Sequence, residues 1–84
     1  MLGGYECYIC GTTENLHRHH MLHGTANRKK ADKYDLTVYL CWKHHMEVHR
    51  DPTLDRTFKM LGQKIFEETH TRGEFIEEFG RNYL

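Results

Sequence analysis

Apolar and polar positions change period along this chain, and each change marks an element. Residues 16–22 (LHRHHML) alternate as a strand does, which sets His17 and His19 on one face and Arg18 and His20 on the other. Residues 36–40 (LTVYL) are β-branched and aromatic and predict a second strand. Residues 42–50 read as a helix. Leu54, Phe58, Leu61 and Ile65 then recur at helical spacing, with Phe66 widening the stripe, so a helix is expected from Pro52 to about Thr69. Asp51 can cap its first turn and Pro52 suits its first position. Gly62 lies inside it, at a cost of about 1 kcal/mol relative to Ala, and marks a place where another element comes close. Thr71 and Glu74 have the spacing of a capping box, Phe75, Ile76 and Phe79 give a last short helix an apolar side, and Gly80 stops it.

The polar stretches between these elements are read by their turn chemistry. Residues 5–10 are expected as a short strand running into a knuckle, because Gly11 follows Cys10 at once and can take the positive φ of a tight turn. Residues 12–15 form a turn. Residues 23–35 (HGTANRKKADKYD) are expected as a basic loop with a short helical turn around 26–33. The whole is an α+β chain: a strand-rich first part followed by two C-terminal helices.

Size makes stability the next question. The chain has 84 residues, twelve Lys and Arg against twelve Asp and Glu, eight His and three Cys, and no repeat or linker divides it, so residues 1–84 are read as one domain. A core this small supplies only a few kcal/mol, and small domains add disulfides, a metal or a partner. Three cysteines cannot all pair within one chain, and the spacing of the first two suits a metal half-site in a reducing compartment. No charged segment followed by an apolar run opens the chain and no apolar stretch is long enough to span a bilayer, so a soluble, cytoplasmic protein without a membrane role is expected.

The chemistry is concentrated early. Residues 1–50 hold all three Cys and seven of the eight His, with seven basic and five acidic residues, whereas residues 51–84 carry five and seven. Zero net charge argues against coating nucleic acid through bulk charge. It leaves room for a local basic face balanced by an acidic tail. Cys7-Tyr-Ile-Cys10 and Cys41-Trp-Lys-His44 are two pairs of soft ligands, and together they suit a structural tetrahedral Zn²⁺. After that assignment His17, His19, His20, His23, His45 and His49 remain. His45 and His49 are four apart on a predicted helix and share a face. A strand end bearing His19 and His20 against that helix would add a third nitrogen to one ion and leave the adjacent imidazole pointing elsewhere, an open catalytic metal site beside a base.

This order of residues, CxxC, then His-His at a strand end, then a second strand running into CxxH-His with a further His four along, resembles the HNH nuclease superfamily over residues 5–49. The resemblance implies a ββα-metal core, here zinc-stabilised, over residues 5–50, and the helical tail over 51–84 looks like those of small phage-encoded members. It further implies that His20 is the general base that takes a proton from the attacking water. His19 and His45 correspond to ligands of a catalytic divalent ion (Mg²⁺, Mn²⁺, Ni²⁺ or Zn²⁺), and His49 to a further ligand. The family's middle Asn, which orients the base, has no counterpart near Leu36, and Asp35 is the residue expected to hydrogen-bond the His20 imidazole in its place.

Phosphodiester hydrolysis needs a nucleophile made from water, a group that removes its proton, and positive charge at the leaving oxygen. Arg18, or Arg28 with Lys29 and Lys30, can hold flanking phosphates of DNA by charge-assisted hydrogen bonds. His17 and His23 are expected as exposed or supporting residues, Tyr39 and Trp42 as packing residues near the zinc although an aromatic there can stack on a base, and His70 as exposed near a helix end. The stripe from Leu54 to Ile65 is core, or the surface of a homodimer or for a protein partner. The expectation is an HNH-type endonuclease. The alternative is a catalytically inactive, zinc-stabilised accessory module that binds nucleic acid or protein; a redox thiol protein is disfavoured because no βαβ pattern surrounds Cys7 and Cys10.

Overall fold

Two short strands, Leu16–His20 (β1) and Thr37–Cys41 (β2), pair antiparallel in a computed structural model that describes residues 2–84. Leu16 lies opposite Cys41 and His20 opposite Thr37. Between the strands runs a helix, Thr25–Lys33 (α1), and after them come Trp42–Arg50 (α2), Pro52–Phe66 (α3) and Arg72–Phe79 (α4). The architecture is α+β, with four helices around a two-stranded sheet. No helix among the described residues is long and apolar enough to cross a membrane.

The helix boundaries follow from their caps. The Asp51 side chain accepts from the amides of Thr53 and Leu54, and Pro52 occupies the first helical position of α3. Thr71 and Glu74 complete a reciprocal capping box on α4, and Gly80 closes it at φ 85°. α3 stops at Phe66, three residues short of the expected end, because the amides of Glu68 and Thr69 bond back three residues to Ile65 and Phe66 and tighten the chain into a turn.

Two segments depart from the sequence reading. Residues 5–10 form turns and bends in place of a strand. Closing the knuckle requires Gly11 to bond back to the Cys7 carbonyl at 2.8 Å, and an extended chain cannot do that. The N-terminal arm still meets the sheet, since the amides of Leu2 and Tyr8 donate to Thr37 and Tyr39 of β2. The basic segment forms two full turns of helix where a loop with one helical turn is expected. α1 buries only Ala31, so its amphipathic signal is weak, and it is closed by Leu36, whose amide donates to the Ala31 carbonyl.

The core lies where β1 ends. Met21, Leu22, Leu36, Val38, Leu40, Val48 and Phe75 are fully buried or nearly so, and Phe58, Phe66 and Phe79 close around them. Gly62 of α3 passes directly over Met21 and Leu22: a Cβ there would sit 2.5 Å from Leu22 Cδ2 and 3.1 Å from Met21 Cβ. The close approach expected at this glycine is present. Gln63 beside it is buried and satisfied, donating to Glu67 and Asn82 and accepting from the Tyr83 amide, which ties the C-terminus to α3.

Candidate functional site

The turn at residues 7–10, the end of β2 and the first turn of α2 converge on one point. The ligand atoms of Cys7, Cys10, Cys41 and His44 all lie within 4.8 Å of one another. His44 Nδ1 is 3.2 Å from Cys41 Sγ and 3.5 Å from Cys7 Sγ, and Cys10 Sγ is 3.9 Å from Cys41 Sγ. Tetrahedral zinc with bonds of about 2.3 Å to sulfur spaces its sulfur ligands roughly 3.8 Å apart, so the four residues are close enough to hold a metal ion and their chemistry suits zinc. On the far side of the ring, His44 Nε2 lies 3.9 Å from Glu47 Oε2, the kind of outer carboxylate that fixes a ligating imidazole.

Electrostatics point the same way. Burial pushes the Cys7 thiol up, but the backbone amides of Cys41, Cys10 and Ile9 and the His44 ring outweigh it and bring it down to about 6. At Cys10 the Thr12 amide pulls down, yet burial and the neighbouring Cys7 and Cys41 sulfurs leave that thiol raised. The sulfurs therefore resist ionising together unless a cation joins them.

A second cluster lies across β1 and α2. An open cleft of about 470 Å³ is lined by Arg18, His19, His20, His23, Gly24, Thr25, Arg28, His45 and His49. His45 and His49 share a face of α2, with their Nε2 atoms 3.3 Å apart. The His19 ring meets both, at centroid distances of 5.5 Å to His45 and 6.3 Å to His49. His19 is 3% exposed, and its Nε2 is buried without a hydrogen-bond partner. Burial, followed by the neighbouring His45, His49 and His23 rings, lowers its pKa to about 4; burial and then His49 and His17 lower that of His45. These imidazoles are neutral near pH 7 and hold lone pairs available to a cation. His19, His45 and His49 thus line one cleft, but among the described residues the group of three or more ligand atoms close enough together to hold a metal ion is Cys7, Cys10, Cys41 and His44.

The adjacent imidazole faces the other way, as strand alternation requires. His20 Nε2 lies 2.9 Å from Asp32 Oδ1, and Arg18 Nη2 lies 3.1 Å from the same oxygen. The carboxylate that meets His20 is thus Asp32, on the last turn of α1, while Asp35 takes the left-handed turn (φ 57°) that leads into β2. A helix, unlike a loop, carries the earlier aspartate back over β1, and assigning that helix is the signal that would have found it. His23 Nε2 lies 2.8 Å from Asp55 Oδ1 of α3, a second imidazole and carboxylate pair at the edge of the cleft. Of the basic residues, Arg18 and Arg28 line the cleft and Lys29 is exposed on α1 beside it. Lys30 reaches α4, where its Nζ donates to the Glu78 carbonyl.

Two aromatic positions, Trp42 and His70, differ from expectation. Trp42 is 57% exposed rather than packed, and its ring meets His17 at 5.5 Å. His17 takes the supporting place expected of it, stacked on His45 at 5.4 Å with 22° between the planes. His70 is half-buried, stacked on Phe66 at 4.2 Å. Tyr39 does pack, edge-on to Tyr5 at 4.7 Å. No protein-family model matches the chain, and no curated protein or solved structure matches it significantly.

Proposed function

We propose that the chain is a metal-dependent endonuclease of the HNH type that hydrolyses DNA phosphodiester bonds. In this reading Cys7, Cys10, Cys41 and His44 hold a structural zinc, and His19, His45 and His49 hold the divalent ion that serves the reaction. One observation carries it: a single cleft is lined by His19, whose Nε2 is buried and unsatisfied, by the His45 and His49 pair, and by an independent imidazole, His20, already held by a carboxylate. A scaffold with one structural metal has no use for that second arrangement, because buried polar atoms are otherwise satisfied.

The division of labour follows from which nitrogen is engaged. With Nε2–H donating to Asp32, His20 leaves Nδ1 to accept the proton of a water, and Asp32 stabilises the imidazolium that results. When bound, the divalent ion supplies positive charge to the scissile phosphate and the leaving 3′-oxygen. Arg28 is exposed at the cleft, so it is placed to hold a flanking phosphate, while Arg18 divides its guanidinium between Asp32 and the cleft.

The test is nicking of supercoiled plasmid by the zinc-loaded protein with Mg²⁺, Mn²⁺, Ni²⁺ or Zn²⁺ added, with EDTA and His20→Ala as controls. Nicking that falls by about 10²-fold or more in His20→Ala is expected for a general base. Undiminished nicking by His20→Ala, or none with any ion, sinks the assignment. In the second case a zinc-stabilised binding module takes its place.

A further inference from the structure

We infer that Trp42, backed by His17, is a stacking platform for an unpaired DNA base beside the cleft; this rests on the nuclease reading and names the form of DNA the site takes. Trp42 is the only tryptophan of the chain and opens α2, and more than half of it is exposed although indole is the largest apolar side chain. Its ring meets His17, and His17 in turn stacks on His45 of the cleft wall, so an aromatic row runs from solvent to the site in two ring-to-ring steps. The other exposed aromatics, Tyr5 and Tyr8, lie in the N-terminal arm and meet Tyr39 and Phe58 rather than that row.

The occupant follows from geometry and charge. An indole held on one side by an imidazole offers its remaining surface to a flat π-system, and a base presents its face only when it has left the duplex stack. The surroundings suit a strand's phosphates: the first turn of α2 carries no acidic residue, Lys43 follows Trp42 on the surface, and Arg28 lines the cleft beyond. A base on Trp42 would thus anchor a single-stranded or locally opened stretch with its neighbouring phosphates directed to the histidines, and base identity would matter little because every base has a π-face.

The experiment uses zinc-loaded protein without added divalent ion and titrates Trp42 fluorescence with oligo(dT), with an abasic oligodeoxynucleotide of equal phosphate count, and with a blunt duplex. Quenching by oligo(dT) is expected, with weaker binding of the abasic strand and the duplex. With a labelled oligo(dT) followed by anisotropy, Trp42→Ala should lose about 5- to 100-fold in affinity, and Trp42→Phe should recover most of it, which separates loss of the ring from loss of the fold. Plasmid nicking by the same preparations is measured in parallel. Nicking with no quenching, or with Trp42→Ala binding oligo(dT) as the wild type does, overturns the platform and leaves the nuclease reading standing. Quenching and ring-dependent binding without nicking under any ion leaves the platform and removes the nuclease. A Trp42 signal that responds to the abasic strand as strongly as to oligo(dT) also overturns it, because the contact is then to the backbone.

Discussion

Asp32 accepts from two side chains that strand alternation sends out on one face of β1, His20 and Arg18. Removing the carboxylate leaves the imidazole unheld and the guanidinium unpaired, both at the cleft. Asp32→Ala should therefore lower plasmid nicking by about 10- to 100-fold, the range seen when an outer group that orients a functional side chain is lost, while circular dichroism and melting temperature change little because Asp32 is exposed. His19 gives a prediction on stability. Its folded pKa of about 4 lies below the ordinary 6.5, so the folded state resists the protonation that the unfolded chain accepts. The contribution is fully present above pH 6.5 and is lost as pH falls from there toward 4, by up to about 3 kcal/mol. Denaturant titrations across that window should show the decline, and His19→Gln should make it shallower, the remainder coming from protonation of the zinc-binding residues. If the wild-type curve is flat between pH 6.5 and 4, the buried, unsatisfied state of His19 Nε2 is wrong.

Among the elements, α3 is the one whose placement rests on a missing side chain. Ala at position 62 favours the helix by about 1 kcal/mol, but its Cβ would stand 2.5 Å from Leu22 Cδ2 and 3.1 Å from Met21 Cβ, and both of those residues are fully buried. Overpacking of this kind costs about 1–3 kcal/mol, so Gly62→Ala should lower the thermal midpoint by several degrees. A rise would show that helix propensity wins. The elements show where the sequence speaks and where it does not. β1, β2, α2, α3 and α4 were legible because each has either a clean period or an explicit cap, as at Asp51, Thr71 and Gly80. α1 was half hidden, since a helix that buries only Ala31 leaves almost no apolar stripe to read. That uncertainty hid the contact between Asp32 and His20. The Cys₃His cluster was legible from spacing alone, whereas the row from Trp42 through His17 to His45 was not, because it joins a strand to a helix and only their packing brings the rings together.

At the scale of the molecule the Cys₃His cluster joins three parts of the chain. Cys7 and Cys10 come from an arm without regular secondary structure, Cys41 ends β2, and His44 lies in the first turn of α2, the helix that carries His45 and His49. A structural zinc contributes on the order of 10 kcal/mol to domains of this kind, against a total of about 5–15 kcal/mol for a folded domain. Chelation should therefore unfold the chain outright, with loss of helical circular dichroism, and Zn²⁺ but not Mg²⁺ should restore it. Cys41→Ser should behave like the chelated protein at all Mg²⁺ concentrations. The ion proposed for the histidine cleft would act differently, stabilising the folded chain only by mass action, by about 2.7 kcal/mol at a hundredfold excess over its dissociation constant. His45→Ala with His49→Ala should accordingly keep the fold and the zinc but lose the rise in melting temperature that added Ni²⁺ or Mn²⁺ produces in the wild type. If the double variant unfolds as the Cys41→Ser chain does, the two clusters are one structural unit and the division between a structural and a working metal fails.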